Sequence, residues 1–300
     1  MDAVSAERRR GVAAVAAAYI AWGLLPFYWK ALQSVPPPEI LAHRVVWSFI
    51  FLLLLVGTRG RWPEVRATFA VPRTRRMVLF TALLIGVNWL TYITAINTDH
   101  VVEASLGYFI NPLVSVLLGA VFLRERLDRW QGAAVVLAAA GVGWLTWRFG
   151  AVPWFALILA VTFGLYGLLR KVAAMGATAG LLAETGLLSP IALIYVTLMI
   201  VQGSARTGTA PLTVHLLLFF AGVVTAVPLL LFVSGVRRIP LSLAGFLQYI
   251  SPTMQFLLGV FAFGEPFTVD HLAAFALIWT GLLVFSLRNA GVFAPRSGLG

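Results

Sequence analysis

Long apolar stretches alternate along the chain with short segments that carry most of its charged residues. Each stretch has about 20 residues, enough for an α-helix to cross a hydrocarbon core of roughly 30 Å. We therefore expect an all-α integral membrane protein that is embedded in the lipid bilayer. The ten predicted spans are 11–29, 39–57, 77–97, 103–123, 130–147, 153–170, 180–200, 215–235, 241–262 and 268–287.

The fourth and ninth spans repeat one another at a fixed offset of 140 residues, so that the segment Leu106–Glu125 matches Phe246–Glu265. The first spans of the two halves, AWGLLPFYWK and TFGLYGLLRK, are also similar. We therefore expect two copies of one five-span unit, 1–148 and 149–288, followed by a disordered cytoplasmic tail, 289–300. The matched positions that are rarest by chance are Pro112 and Pro252, Gly119 and Gly259, and Glu125 and Glu265.

An odd number of spans in each copy determines how the copies are oriented. The second copy has to enter the membrane from the opposite side, which makes the two units inverted repeats. Such repeats are common in secondary transporters, whose substrate site lies near the bilayer midplane where the repeats meet. We therefore expect ten transmembrane helices, arranged as two inverted five-helix repeats around a central cavity. A ten-helix bundle can enclose its own pathway, so this architecture is compatible with a monomer.

The basic residues are concentrated on one predicted side of the membrane. Of 22 Lys and Arg residues, 18 fall in the N-terminal segment, in the loops after the even-numbered spans or in the tail. This excess predicts that both termini of this multi-pass protein are cytoplasmic, and we expect it in the bacterial inner membrane. The same asymmetry accounts for the net charge of +11 without a nucleic-acid partner.

Composition and motifs exclude several classes of function. The chain is 60% hydrophobic and has no cysteine, which rules out disulfides and thiolate metal sites. No H-E-x-x-H, G-x-S-x-G or phosphate-binding G-x-x-x-x-G-K motif is present. The sequence therefore predicts neither an enzyme nor a metal or cofactor site, and it excludes ATP-driven pumping by this chain alone.

Two prolines and several polar or aromatic residues within the spans are candidates for a substrate site. Pro112 and Pro252 fall near the centres of the fourth and ninth spans, where each frees a backbone carbonyl one turn earlier. The resulting kinks either help helices to pack or open a cavity lined by neighbouring residues. Mid-membrane polar groups should face that interior. The candidate substrate contacts are Trp22, Asn88, Tyr92, Tyr108, Asn111, Tyr166, Gln248 and Tyr249.

Structural alternatives exist for some of these candidates. Asn88 can instead hydrogen-bond a neighbouring helix. Trp22 and Tyr166 can instead belong to an interfacial aromatic belt.

Four ionisable residues near span ends are candidates for coupling or gating. Glu39, His43 and Arg44 lie at the start of the second span, and Glu184 lies at the start of the seventh. An intramembrane ionisable group is a functional candidate by default. The alternative for Arg44 is pairing with a carboxylate such as Glu39. Because few ionisable groups lie deep in the spans, the cavity suits near-neutral solutes, and both proton coupling and passive transport stay open.

The chain resembles a known group of carriers in the segments AWGLLPFYWK, ILAHRVVWS, ASLGYFINPL, GLYGLLRK, TAVPLLLF and LQYISPTMQFLLGVFAFGEP. These segments are similar to the EamA group of the drug/metabolite transporter superfamily, and within it to the RarD proteins. The resemblance covers nearly all ten spans. It implies a ten-helix inner-membrane carrier with inverted repeats and a central cavity that exports small metabolites. RarD proteins carry a chloramphenicol-sensitivity label and related carriers export amino acids, so the resemblance leaves the substrate open.

The expected function is export of small polar or zwitterionic metabolites, amino acids first, by alternating access. One alternative is export of drugs or other metabolites of the chloramphenicol type. Others are a non-transporting sensor and an intramembrane enzyme. An enzyme should show paired carboxylates or histidines deep in adjacent spans, and a sensor should carry a soluble signalling domain. Neither feature is evident in the sequence.

Overall fold

A computed structural model describes residues 2–124, 128–172, 176–236, 238–239 and 247–289. These residues form helices and connecting segments, with no strand among them. A 3₁₀ helix (Arg206–Thr209) precedes α9, and a π-helical turn (Leu258–Ala262) continues α10. The α-helices are α1 (Asp2–Lys30), α2 (Pro37–Thr58), α3 (Trp62–Ala70), α4 (Pro72–Asn97), α5 (Val101–Leu123), α6 (Arg129–Phe149), α7 (Trp154–Val172), α8 (Ala177–Val201), α9 (Leu212–Val236), α10 (Ile250–Leu257) and α11 (Val269–Asn289).

Eight of these helices are long and apolar enough to cross a membrane. Two shorter apolar stretches, Trp154–Arg170 and Ile250–Ala262, occupy the positions of the sixth and ninth predicted spans. The all-α membrane fold is thus confirmed, while the count of ten spans stays a prediction. Residues 240–246, where the ninth predicted span begins, and 290–300 of the predicted tail lie outside the described residues, as does Glu125.

Helix α3 is a difference from the sequence-based expectation, which placed 58–76 in a loop. Pro63 lies in the first turn of this nine-residue helix, where the missing N–H is not needed. Its residues Val65 and Thr68 are buried, whereas Arg66 is exposed. The segment is too short and too polar to span a membrane, so it leaves the predicted order of the spans unchanged.

The helices pack in pairs that join the two predicted copies. Helix α6 packs along α11, α2 packs along α8, α5 packs on α7, and α1 packs on α9 and α10. In the two copies, α1, α4 and α5 correspond to α7, α9 and α10. Exchange of the copies therefore turns the α5–α7 pair into the α10–α1 pair, and the α1–α9 pair into the α7–α4 pair. All four of these pairs occur in the structure. This pattern supports the division into 1–148 and 149–288, which remains our proposal.

Two glycines give the clearest sign of this exchange. A Cβ placed on Gly141 of α6 would lie 2.8 Å from the carbonyl oxygen of Ala274 on α11. A Cβ placed on Gly281 of α11 would lie 2.8 Å from the carbonyl oxygen of Ala134 on α6. Gly141 and Gly281 are 140 residues apart, and so are Ala134 and Ala274, which is the offset that relates the two copies. The contact is therefore reciprocal, as a two-fold relation between the copies requires.

Polar contacts between connecting segments follow the two predicted sides of the membrane. Each of the bonds named below joins two segments that the ten-span topology places on the same side. On the predicted non-cytoplasmic side, the pairs are Lys30–Asp99 and Arg148–Asp270. On the predicted cytoplasmic side, they are Arg288–Asp128 and Arg238–Glu7. These pairings support the predicted topology.

The close approach of α6 and α11 predicts a position-specific effect of Gly141→Val. We expect this variant to lose about 1–3 kcal/mol of stability, because the added side chain meets backbone that cannot rotate away. Gly143 lies on the same helix, and a Cβ placed there has no atom within 4 Å. Gly143→Val is therefore the matched control. Thermal unfolding in detergent measures both, and equal losses would contradict the close contact.

Candidate functional site

A buried arginine lies where α1, α2 and α4 meet. Arg44 of α2 is only 5% exposed. Its guanidinium carbon lies 4.1 Å from the ring centre of Trp89 and 5.0 Å from that of Trp29. Aromatic faces attract a cation in this range. The Nε and Nη1 atoms of Arg44 are buried and have no hydrogen-bond partner in the described part of the chain.

The expected alternative of an Arg44–Glu39 pair is wrong for this structure. The Glu39 carboxylate instead accepts hydrogen bonds from the backbone N–H groups of Arg206 and Thr207, at 3.2 and 3.0 Å. The start of a helix presents N–H groups without intrahelical partners, and a carboxylate is a favourable acceptor for them. Glu39 therefore caps the 3₁₀ helix, and Arg44 has to be balanced in another way.

Two tyrosines extend the site from Arg44. The rings of Tyr92 on α4 and Tyr108 on α5 meet edge to face, with centres 5.7 Å apart. Both side chains lie within electrostatic range of the Arg44 guanidinium. The Tyr92 hydroxyl is buried without a partner among the described residues. We name Arg44, Trp29, Trp89, Tyr92 and Tyr108 the Arg44 site.

Aromatic contacts continue from the Arg44 site to a buried ion pair. Tyr108 contacts Phe163, which in turn contacts Tyr166, with ring centres 6.4 and 6.1 Å apart. The Tyr166 hydroxyl donates to Glu184 over 3.1 Å, and Arg170 lies 3.4 Å from the same carboxylate. The Glu184 side chain is fully buried. The structure thus brings together Tyr166 and Glu184, which the sequence singled out separately.

The two candidate asparagines connect helices. The Asn88 amide on α4 donates to the carbonyl of Leu159 and to the hydroxyl of Thr162 on α7, at 3.1 and 2.9 Å. The Asn111 amide on α5 donates to the carbonyl of Ala160, also on α7, at 3.1 Å. For Asn88, the structure favours helix packing, the alternative named above. Asn111 plays the same part, since its amide group is already bonded to protein.

Trp22 contributes a backbone acceptor as well as a ring. Pro26 has no N–H, which leaves the Trp22 carbonyl without its helical donor. The side-chain amide of Gln255 on α10 supplies a replacement over 3.3 Å. The Trp22 ring packs against Tyr19 and Phe232, with centres 5.4 and 5.7 Å away. Trp22 therefore connects α1 to α9 and α10.

The remaining candidates occupy less central positions. Gln248 and Tyr249 lie in the turn before α10, and Tyr249 packs against the apolar cluster of α5, α6, α7 and α11. Pro252 lies in the first turn of α10, where a proline is tolerated, rather than inside a described continuous helix. Pro112 lies inside α5, as expected. His43 has a buried Nε2 atom without a described partner.

A cavity of about 270 Å³ lies at the predicted non-cytoplasmic end rather than in the middle of the bundle. Its walls include His100, Glu103, Glu265 and His271, and none of the predicted site residues. This cavity is therefore distinct from the expected central cavity, which stays a prediction. Arg44, Asn88 and Tyr92 are buried among the helices.

The comparisons with known proteins identify the family. Residues 9–147 match the model of the EamA-like transporter family. Protein RarD of Escherichia coli (strain K12) is 45% identical over 279 residues, which cover 93% of this chain and 94% of that protein. An uncharacterized transporter of Vibrio cholerae serotype O1 is 46% identical over 293 residues, 97% of each chain. The chain belongs to the RarD group of the EamA-like transporter family.

The fold of this RarD-group protein also occurs in a solved crystal structure that is 22% identical to it. The two superpose with a TM-score of 0.58, over 97% of this chain and 99% of the other. Membership of the family makes the protein a membrane transporter. A transporter has to bind its cargo among its helices, which directs attention to buried polar groups that the protein leaves without partners.

Trp29 and Trp89 are the members of the Arg44 site that were missing from the predicted contacts. Trp29 is the penultimate residue of the motif AWGLLPFYWK, and Trp89 follows the candidate Asn88. Their types and positions were visible in the sequence. Their convergence on a cation from α2 depends on how three helices pack, which no local pattern encodes.

The position of Asn88 predicts an energetic coupling with Thr162. In a double-mutant cycle with Asn88→Leu and Thr162→Val, we expect a coupling of about 0.6–2 kcal/mol, since one hydrogen bond joins the side chains. Thr280→Val is the control, because the exposed Thr280 hydroxyl bonds within α11. Thermal unfolding in detergent measures the cycle. Additivity of Asn88→Leu with both threonine variants would contradict the assignment.

Proposed function

We propose that this RarD-group protein is a secondary transporter that exports small polar or zwitterionic metabolites, with amino acids as the first candidates. It works by alternating access across the bacterial inner membrane, with both termini in the cytoplasm. The two five-helix units, 1–148 and 149–288, form the two halves of the carrier. The observation that carries this proposal is the buried Arg44 site with its unused hydrogen-bonding capacity.

Buried polar groups in proteins nearly always have partners, so a cluster without them calls for an explanation. The Arg44 guanidinium and the Tyr92 hydroxyl are two such groups in one site. The indole N–H of Trp29 is a third. A solute with hydrogen-bonding groups supplies the missing partners when it binds, and a polar or zwitterionic metabolite has these groups.

The line of aromatic contacts supports alternating access. It begins at Arg44, which lies about two turns into α2 from the predicted non-cytoplasmic side. It ends at the Glu184–Arg170 pair near the predicted cytoplasmic start of α8. Conformations that open the bundle at one end or the other would therefore expose opposite ends of the same line of residues.

Glu184 is the strongest candidate for proton coupling. Its carboxylate is fully buried and shared between Tyr166 and Arg170. Glu39 and His43 are weaker candidates, since Glu39 is occupied as a helix cap. A passive facilitator needs none of these groups to change protonation, so the dependence of transport on a pH gradient separates the two modes.

A second candidate function is export of apolar or aromatic drugs of the chloramphenicol type. The observation that favours it is the aromatic character of the site, where Trp29, Trp89, Tyr92 and Tyr108 surround a single cation. Flat apolar solutes also bind such surfaces. The buried guanidinium favours the polar or zwitterionic cargo over this alternative.

We expect purified protein in liposomes to take up at least one radiolabelled amino acid in a saturable manner, unlike empty liposomes. Tyr108→Ala should abolish this uptake, because it removes the ring by which the Arg44 site contacts Phe163.

An imposed pH gradient should stimulate uptake only if transport is proton-coupled, and Glu184→Gln should then remove the stimulation. If folded protein transports chloramphenicol but no amino acid, the second candidate function, drug export, would replace amino-acid export.

The unpartnered Tyr92 hydroxyl predicts a selective effect of Tyr92→Phe. We expect stability to be unchanged or slightly increased, because the hydroxyl has no described protein partner to lose. Uptake efficiency should fall about five- to tenfold, the worth of one hydrogen bond to the solute. Tyr195→Phe on α8 is the matched control and should leave uptake unchanged. A loss of stability in Tyr92→Phe with normal uptake would contradict a role in binding.

A further inference from the structure

We infer that Arg44 binds a carboxylate group of the cargo, so that the transported solutes are small carboxylates, either monoanionic or zwitterionic. This inference rests on the proposed transport function and specifies the substrate class of the same site. The inference is based on the balance of charges around Arg44. Arg44 is a buried cation, and the described part of the protein offers it no anion.

The acidic side chains of the described residues already have other partners. Three of them, Glu39, Glu103 and Glu265, accept hydrogen bonds from backbone N–H groups at helix starts. The others lie in ion pairs with arginine or lysine, and these are Glu7, Glu64, Asp99, Asp128, Glu184 and Asp270. The chain has 11 acidic residues, and the remaining two, Asp2 and Glu125, are at the predicted cytoplasmic ends of their spans. None of the described carboxylates therefore pairs with Arg44, which leaves its guanidinium available to a carboxylate from outside the chain.

A buried charge without a counter-ion is unfavourable for folding. Moving an isolated ion out of water carries a large desolvation penalty even after the protein relaxes. The faces of Trp29 and Trp89 offset a part of this penalty, since a desolvated cation is attracted to aromatic faces. They provide no acceptor for the Nε and Nη1 protons of Arg44. A carboxylate provides two acceptor oxygens in the planar geometry of the guanidinium group.

The second copy of the repeat shows that the helix packing does not need an arginine at this position. Helices α2 and α8 begin at Pro37 and Ala177, 140 residues apart, so the offset of the repeat aligns Arg44 with Glu184. Glu184 is also buried, but it accepts a hydrogen bond from the Tyr166 hydroxyl and pairs with Arg170. The described residues therefore balance the buried charge of the second copy and leave that of the first copy without a counter-ion, as expected for a ligand-binding group.

The number of positive charges favours a single negative charge on the ligand. Arg44 is the only cation that the described residues place over Trp29 or Trp89. Lys30, at the end of α1, is already paired with Asp99. A doubly charged phosphate at this depth would bring one uncompensated negative charge, whereas a carboxylate is balanced. The aromatic rings then contact the apolar remainder of the solute.

The test compares matched acids and amides as ligands of the purified full-length protein in detergent. The pairs are L-leucine with L-leucinamide, L-phenylalanine with L-phenylalaninamide, and benzoate with benzamide. A ligand that binds the folded state raises the melting temperature by mass action. We expect the acid of at least one pair to do so and its amide to have no effect, because only the acid carries the carboxylate.

Variants assign this response to Arg44. Arg44→Met should weaken the apparent affinity for the acid about 10- to 100-fold, the effect expected for a charged hydrogen bond. Without ligand, it should melt about 2–4 °C higher than the natural protein, because an uncompensated buried charge is replaced by an apolar side chain of similar length. Arg148→Met is the matched control. Arg148 is exposed and paired with Asp270, so this variant should keep the response to the acid.

The outcomes separate binding from a structural role. An amide that stabilises the natural protein as well as its acid, or an Arg44→Met variant that still responds to the acid, would overturn the inference. The inference would also be overturned if Arg44→Met is less stable than the natural protein and the natural protein responds to none of the acids. If Arg44→Met does not fold, Arg44→Lys replaces it. Lysine keeps the charge but not the planar fork, so preference for the acid should persist with lower affinity.

Liposome uptake distinguishes failure of this inference from failure of the proposed function. Saturable uptake of the amides or of chloramphenicol, with no uptake of the acids, would leave a transporter whose cargo is not a carboxylate. No uptake of any of these solutes by folded protein would count against the proposed function as well.

Discussion

Helix starts in a membrane protein need acceptors for their free backbone N–H groups, and in this structure three glutamates from other parts of the chain supply them. Glu265 accepts from Val101 and Val102 at the start of α5, over 2.7 Å in both cases. Glu103 accepts from Phe155 at the start of α7 over 2.9 Å, and Glu39 caps the 3₁₀ helix before α9. These bonds fasten the predicted non-cytoplasmic ends of the helices to one another.

The use of carboxylates as helix caps has a consequence for the interior. Each carboxylate that stabilises a helix start is unavailable as a counter-ion for a cation elsewhere. The protein places few charges within its spans, and the described acids are engaged near span ends. Among the described residues, Arg44 is therefore left with aromatic faces alone. Because so few charges lie within the spans, this buried guanidinium without a described counter-ion is informative about the cargo.

Sequence patterns predicted the fold class and much of its internal relationship. The 140-residue offset anticipated that Gly141 and Gly281 would take equivalent positions, and the structure places each against the alanine of the other copy. The suggested pairing of Arg44 with Glu39 rested on their proximity along the chain and not on such a pattern. Residues five apart on a helix point in different directions, whereas those three or four apart share a face. Sequence spacing alone argued against that pair, and proximity along the chain was misleading.

The candidate site was harder to predict, because its meaning depends on which partners the packing supplies. Asn88 and Tyr92 lie one turn apart on α4, and both were reasonable candidates for substrate contact. Packing gives Asn88 two acceptors on α7 and gives the Tyr92 hydroxyl none in the described residues. A sequence records only the capacity of a side chain to form hydrogen bonds. Only the structure shows where that capacity remains unused, and the proposed solute site rests on that observation.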